Sequence, residues 1–318
     1  MQIAVTGANG FLGSALISQL AKNSQNKIRG LVRHEPYVRH SGVKYYSACD
    51  LSMSMDWRES VRGADIVIHT AARVSASNNT SRNVMDEFYR INVEGTLNLA
   101  RQAADLGVRR LIFFSSIKVN GESTFLNETF TAQDNPGPKD AYGISKMTAE
   151  QGLFEVGLET GMEIVCIRPP LVYGPGVKGN FLSLLRWLDS GIPLPLGSIH
   201  NLRSLVGVDN LVDLVITCID HPAAANQVFL VSDDEDLSTT EMLRRMSIAL
   251  KRQVRLVPVP AKLLKFVAGI IGKEEVAQRL VGSLQIDISK TKSLLNWSPP
   301  YSFDEGICKT AKWLLDSP

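Results

Sequence analysis

Three observations predict an α/β fold with a doubly wound parallel sheet and a smaller, mostly helical C-terminal lobe. Short β-branched runs alternate with amphipathic stretches from the first residue on. A glycine-rich turn joins the first such run to the first helical stretch. The runs are also too continuously apolar for a sheet with one wet face, so helices must cover both sides. Gln2-Ile3-Ala4-Val5-Thr6 reads as the first buried strand and Phe11 to Lys22 as the helix after it. Ile28 to Val32 is a second strand and Ile66 to His69 a later one; Leu111 to Ser115 and Glu163 to Ile167 continue the series. From Pro169 to Gly197 glycine and proline are dense, which predicts loops rather than sheet. Asp209 to Asp220 then reads as a helix and Gln227 to Val231 as another buried strand. From Ser238 the chain reads as mainly helical, ending in Trp297-Ser298-Pro299-Pro300. The expected organisation is a sheet unit over 1–170, to which segments near 205–232 return, and a smaller lobe over 171–318.

With 318 residues, 44% of them apolar and 21% charged, the composition is that of an ordinary soluble globular protein. A net charge of +2 makes no case for nucleic acid or an anionic membrane as partner. Cys49, Cys166, Cys218 and Cys308 are widely scattered, with no Cys-x-x-Cys pair and no His/Cys cluster at metal-ligand spacing, so no metal is expected. No charged-then-apolar leader precedes the first strand, and the apolar stretch Leu263 to Ile271 is broken by Lys265 and too short to span a bilayer. A cytoplasmic protein is the expectation, with that stretch available to rest on a membrane or a partner.

Gly7-Ala8-Asn9-Gly10-Phe11-Leu12-Gly13 lies directly between the first strand and the first helix. There the backbone N–H groups of a helix N-terminus meet a pyrophosphate, and glycines allow the tight turn and close approach. A dinucleotide site of the Rossmann type is expected over Gly7, Asn9, Gly10, Phe11, Leu12 and Gly13. Folds that prefer NAD usually end the second strand in Asp or Glu, which holds the ribose 2′-hydroxyl. Here that position is Val32, followed by Arg33, whose guanidinium suits a 2′-phosphate, so NADP(H) is favoured over NAD. Asp50-Leu51 is placed to meet the adenine.

Tyr142-Gly-Ile-Ser-Lys146 puts a phenol and an ammonium four apart on one helix face. A free tyrosine titrates near ~10, and a neighbouring cation is expected to lower that value and make Tyr142 a usable acid/base.

Gly7-x-x-Gly10-x-x-Gly13, Ser116 and Tyr142-x-x-x-Lys146 together resemble the extended short-chain dehydrogenase/reductase family, in its NAD-dependent nucleotide-sugar epimerase/dehydratase branch. The resemblance runs nearly the whole chain, through His69-Thr70-Ala71-Ala72, Asn92-Val93-Glu94-Gly95-Thr96, Arg168-Pro169, Val172-Tyr173-Gly174-Pro175, Arg203 ahead of Val208-Asp209, and Asp287 ahead of Leu295-Asn296-Trp297. His69 to Val74 and Ser115 to Gly121 are most similar to a bacterial subgroup described as UDP-glucose 4-epimerase-like or as UDP-aminodideoxyhexose 4-ketoreductases. The resemblance implies that Tyr142 exchanges a proton with the sugar C4 oxygen and that Lys146 lowers its pKa and holds the nicotinamide ribose. It implies that Ser116 bonds the same sugar oxygen, that Ala71 and Ala72 lie along the cofactor, and that Asn180 and Arg203 hold the diphosphate of a UDP-sugar. Asn92 matches a family asparagine with a structural part, and His69 is read as a packed histidine. A homodimer through the helices holding Asn92–Ala103 and Tyr142–Leu153 is also implied.

Sugar dehydratases of this family carry an Asp-Glu pair just after the catalytic Thr or Ser, where this chain has Ile117 and Lys118. Isoleucine donates no proton, so dehydration is not expected. Asn120 replaces the tyrosine of the commoner Val-Tyr-Gly version, with an effect on the pocket that the sequence leaves open. Two C4 reactions remain, reduction of a UDP-4-ketosugar and epimerisation with tightly held NAD; Arg33 tips the expectation slightly to the reductase. A regulator that senses NADP(H) without catalysis is a third reading, disfavoured by the retained Tyr/Lys pair.

Overall fold

The structure is a computed structural model that describes residues 1–35, 39–47, 51–74, 82–270, 272 and 274–316. Strand β1 (Gln2–Thr6) leads into helix α1 (Phe11–Leu20), followed by β2 (Lys27–Val32) and β3 (Val43–Ser47). One turn of helix, α2 (Arg58–Val61), precedes β4 (Ile66–His69). Helices α3 (Arg82–Phe88) and α4 (Gly95–Asp105) are joined by a wider, π-type segment, Tyr89–Glu94, and lead to β5 (Arg110–Phe114). Then come β6 (Thr129–Phe130), α5 (Ala141–Thr160), β7 (Glu163–Arg168), β8 (Leu171–Tyr173), α6 (Gly179–Asp189), β9 (Arg203–Gly207), α7 (Val208–Asp220) and β10 (Gln227–Leu230). The remainder holds β11 (Asp236–Leu237), α8 (Thr239–Ala249), α9 (Ala261–Ile270), α10 (Glu274–Val281), β12 (Gln285–Ile286), α11 (Ser289–Leu295) and α12 (Phe303–Asp316).

Seven strands form one sheet in the order β3-β2-β1-β4-β5-β7-β10, all parallel. The period-2 alternation of the strands divides their side chains between two cores. Ile3, Val5, Ile66 and Ile68 face α1 and α7, whereas Ala4 and Val67 face α2, α4 and α5. The chain reverses its direction of travel across the sheet between β1 and β4, and such a switch point opens a crevice at the C-terminal strand ends. The expected doubly wound fold with a largely helical C-terminal region is therefore present. A third core, built on α6, α8 and α12 around Tyr173, belongs to the second lobe.

The stretch from Pro169 to Gly197, expected as loop, contains β8 and the eleven-residue helix α6. Its glycines and prolines bracket these elements rather than interrupt them: Pro169-Pro170 precedes β8, Gly174-Pro175-Gly176 follows it, and Gly191 lies beyond α6. Between them Phe181, Leu184, Leu185 and Leu188 recur at helical spacing and are buried. The chain also continues past Pro300 into α12, whose Phe303, Ile307 and Ala311 complete the third core.

Two buried arginines lock the later segments to the sheet. Arg110, at the start of β5, donates to the carbonyls of Cys218 (2.5 Å), Ile219 (3.0 Å) and His221 (3.1 Å), so a cation serves the C-terminal end of α7. Its Nε also donates to Glu163 at 2.7 Å. Arg168, at the end of β7, forms a bidentate pair with Glu150 of α5 and donates from Nη1 to the Asn120 side-chain oxygen at 3.0 Å. Asn120 in turn donates to the Thr131 carbonyl at 2.8 Å. The residue that replaces the family tyrosine thus has its polar atoms engaged in an internal network.

Removing one partner of a buried ion pair strands the other charge. Glu150→Gln should lower stability by about 3 kcal/mol, read as a drop in the urea midpoint; an unchanged midpoint would mean that the network contributes nothing.

Candidate active site

The glycine turn closes the crevice end of β1. Gly7 has φ +64°, and a Cβ there would lie 2.8 Å from the Thr70 hydroxyl. At Gly13 a Cβ would fall 2.1 Å from the Gly7 carbonyl oxygen, so only glycine lets α1 start this close to the turn. Gly10 caps α1 without a side-chain hydrogen bond. The first N–H groups of the helix, at Phe11 and Leu12, therefore have no intrahelical partner and point out of the turn. Asn9 donates from its side chain to the His34 carbonyl at 3.1 Å and ties the turn to the loop after β2. Ala71 donates from its backbone to the Thr6 hydroxyl at 3.3 Å, and Ala71 and Ala72 are both half-buried beyond the end of β4. Val32 is buried and Arg33 exposed. Leu51 packs its carbonyl where a Cβ on Gly95 would lie, at 2.5 Å. Asp50 lies outside the described residues.

Tyr142 and Lys146 share a face of α5, which Asp140 caps by accepting from the Gly143 N–H at 2.7 Å. A Cβ on Gly143 would sit 2.9 Å from the Lys118 carbonyl, so this glycine lets the start of α5 lie on the turn that carries Ser116. Ser116 Oγ accepts from the Lys118 N–H at 3.2 Å, leaving its own proton to donate elsewhere. Lys146 is buried, donates from Nζ to the Phe114 carbonyl at 2.7 Å, and lies 4.4 Å from the centroid of the Phe113 ring. Lys118 is tied by its ammonium to Glu122 (2.8 Å) and Asp140 (2.5 Å) and Ile117 is buried, so neither of these positions offers an acid/base for dehydration.

Burial sets the proton affinities here. It pulls the Lys146 pKa down to about 7, against the opposing fields of Glu150 and Cys166. It pushes the Tyr142 phenol up to about 12, with the Asp140 carboxylate adding to the rise. The expected lowering of Tyr142 by Lys146 is thus not produced by the protein's own groups, because desolvation of the phenolate dominates and the lysine is itself only partly charged near neutrality.

His69 and Asn92 are packed parts of the frame. His69 hydrogen-bonds through Nδ1 to Thr6 Oγ (2.7 Å) and through Nε2 to Thr96 Oγ (3.0 Å), and stacks on Phe113. Asn92, in the π-type segment, accepts from the Arg73 N–H (2.8 Å) and donates to the Arg73 carbonyl (3.0 Å) and to Ser145 Oγ (3.1 Å). It thereby joins the end of β4 to α5.

Beside the Ser116 turn opens a cleft of about 560 Å³ lined by Lys118, Glu122, Lys139, Asp140, Lys265, Glu274, Gln278 and Arg279. Arg203 donates to the Gly282 carbonyl at 3.0 Å, and its pKa is lowered by burial and by the neighbouring Arg279, with Glu122 opposing. Asn180 is exposed in the first turn of α6 and is not among the cleft-lining side chains. The structure thus sets the start of α5, with Tyr142 and Lys146, against the turn that carries Ser116, and brings Arg203 but not Asn180 to the cleft residues. Sequence reading missed Arg279, Glu122 and Glu150. Only Glu150 had a local signal, as the third member of the i, i+4, i+8 series that begins at Tyr142.

The glycine cradle and the open α1 N-terminus fit a dinucleotide pyrophosphate, and a buried lysine with a half-buried tyrosine beyond them fits hydride chemistry: the fold and site are those of a nicotinamide-dependent oxidoreductase or epimerase. The chain belongs to the NAD dependent epimerase/dehydratase family, whose model matches residues 3–232. It is 45% identical over 316 residues to a UDP-glucose 4-epimerase of Vibrio cholerae, covering 99% of this chain and 96% of that one. Two Bacillus cereus structures share the fold over the whole chain. One is a UDP-glucuronic acid 4-epimerase in complex with NAD (19% identity, TM-score 0.79, 99% of each chain). The other is a UDP-N-acetylglucosamine 4-epimerase (21% identity, TM-score 0.80, 100% of each chain).

Burial takes the His69 pKa from 6.5 to about 3. Because the folded state then binds fewer protons than the unfolded state, stability is complete above about 6.5 and is lost as pH falls toward about 3. In urea midpoints measured across this window, His69→Asn should show a shallower slope than the parent; parallel slopes would place the acid sensitivity elsewhere.

Proposed function

We propose that this enzyme epimerises C4 of a UDP-sugar using tightly held NAD. The observation that carries the reading is the grouping of Ser116, Tyr142 and Lys146 at the crevice in a chain so similar to a UDP-glucose 4-epimerase. Gly7, Asn9, Gly10, Phe11, Leu12 and Gly13 would hold the pyrophosphate, and Ala71 and Ala72 would line the path to the nicotinamide end. Bound NAD supplies a reversible hydride acceptor for C4 and a positive ring whose field favours the Tyr142 phenolate. Tyr142 takes the proton of the C4 hydroxyl and later returns it to the oxygen on the inverted carbon. Ser116 donates its free proton to that same oxygen and holds it in place. Lys146 spends one N–H on Phe114 and keeps the others for the cofactor ribose and the tyrosine side. Arg203, and with it Arg279, suits the diphosphate, as guanidinium groups bind phosphate bidentately. Asn180 would need to turn inward to join them.

A 4-ketoreductase using NADPH is the second reading, supported by exposed Arg33 after an apolar Val32 at the end of β2. Under the epimerase reading Arg33 is a solvated charge, and Arg33→Ala leaves activity within about twofold. We further place the enzyme in the cytoplasm as a homodimer through α4 and α5. The free thiols of Cys166, Cys218 and Cys308 suit a reducing compartment. Light scattering on the purified protein tests the dimer, which a monomer mass at micromolar concentration would rule out.

Nucleotide released from the purified protein by heat should be NAD, and UDP-glucose and UDP-galactose should interconvert without added reductant. Tyr142→Phe should lower that rate by about 10²- to 10⁴-fold with NAD still bound. Stoichiometric consumption of NADPH with a UDP-4-ketosugar, and no interconversion, would establish the reductase instead.

A further inference from the structure

Helix α9 is apolar on two opposite sides. Ala261 and Leu264 pack against the third core, and Ala268, on the same side, is buried. Leu263, Phe266, Val267 and Ile270 recur at i, i+3, i+4 and i+7 and remain 50%, 66%, 48% and 71% exposed. That spacing is the stripe by which a helix normally meets a core, here facing solvent. Lys262 and Lys265, both exposed, lie together along one flank of the stripe.

The near balance of 34 basic and 32 acidic residues conceals a local excess next to this stripe. Residues 251–273 contain Lys251, Arg252, Arg255, Lys262, Lys265 and Lys273 and no aspartate or glutamate. Arg252 reaches Asp189 at 2.9 Å, while Lys251 and Arg255 are exposed in the segment that leads to α9. The whole-chain charge, which made no case for an anionic membrane, is therefore the wrong measure at this place.

An exposed apolar stripe flanked by cations matches the boundary between acyl chains and anionic headgroups. We propose that α9 and the basic segment before it dock the enzyme peripherally on an anionic phospholipid bilayer. At ten residues, about 15 Å, the helix lies in the interface rather than crossing it. A second copy of this chain is a poorer occupant, because a two-fold contact through α9 would set the basic segments of both copies against each other. Lys265 also lines the cleft, so docking sets the mouth of the cleft beside the headgroups.

Flotation of the full-length protein with vesicles of phosphatidylcholine, alone or mixed with phosphatidylglycerol, tests the proposal. Binding should be at least about tenfold tighter to the anionic vesicles and weaken as salt rises. The double variant Phe266→Ser/Ile270→Ser and the charge reversal Lys262→Glu should each reduce it by about tenfold or more. Thermal melting, independent of any assigned activity, verifies that both variants fold. Equal binding to both vesicle types, or binding that survives the substitutions, would overturn the proposal. So would a dimer in solution that the double variant abolishes, which would assign the stripe to self-association.

Discussion

An ammonium group buried beneath α5 is the constraint around which the active-site end of this molecule is arranged. Lys146 has left water and must be satisfied from within, which the Phe114 carbonyl and the Phe113 ring accomplish together. One turn further along α5, Glu150 faces the same strands and meets Arg168; one turn earlier stands Tyr142. A helix seated by polar contacts at successive turns has little freedom to rotate or slide, so the phenol is held in a defined place over the crevice. Gly143 then lets the Ser116 turn approach the start of this helix. The proposed catalytic grouping is a consequence of how one helix is bolted to two strands.

The same arrangement explains the electrostatics. Groups that are deeply enclosed resist carrying charge, and so Tyr142 holds its proton more firmly and Lys146 less firmly than free side chains do. His69, a few ångströms from Phe113, follows the same rule and stays neutral. Lys118 differs because two carboxylates claim it, which keeps it charged and occupied. Adjacent residues of similar chemistry therefore have distinct parts, decided by enclosure and partners rather than by type.

The sheet was legible in the sequence because parallel strands buried on both faces leave uninterrupted apolar runs. The Tyr142/Lys146 face was legible because four-residue spacing is local, and the glycine turn because backbone geometry demands its residues. Glycine and proline misled between Pro169 and Gly197, since they mark the ends of elements as readily as their absence. The Glu150–Arg168–Asn120 network was not legible, because its bonds span 18 and 48 residues along the chain. Nor was the nearness of Arg203 to Arg279, which lie far apart along the chain. The rise in the Tyr142 pKa was missed for a related reason: spacing names the neighbour but says nothing of the solvent removed.

The last strand of the large sheet, β10, and the helix before it come from beyond the first segments of the second lobe, and Arg110 fastens that helix back to β5. A single cut in the chain can therefore never separate the lobes. During synthesis from the N-terminus, the first six strands of the sheet leave the ribosome well before the edge strand that must cover β7. A nascent chain is thus obliged to carry an open, apolar sheet edge until residue 230 has emerged. Protection of that edge is a demand that this connectivity places on the cell rather than on the finished protein.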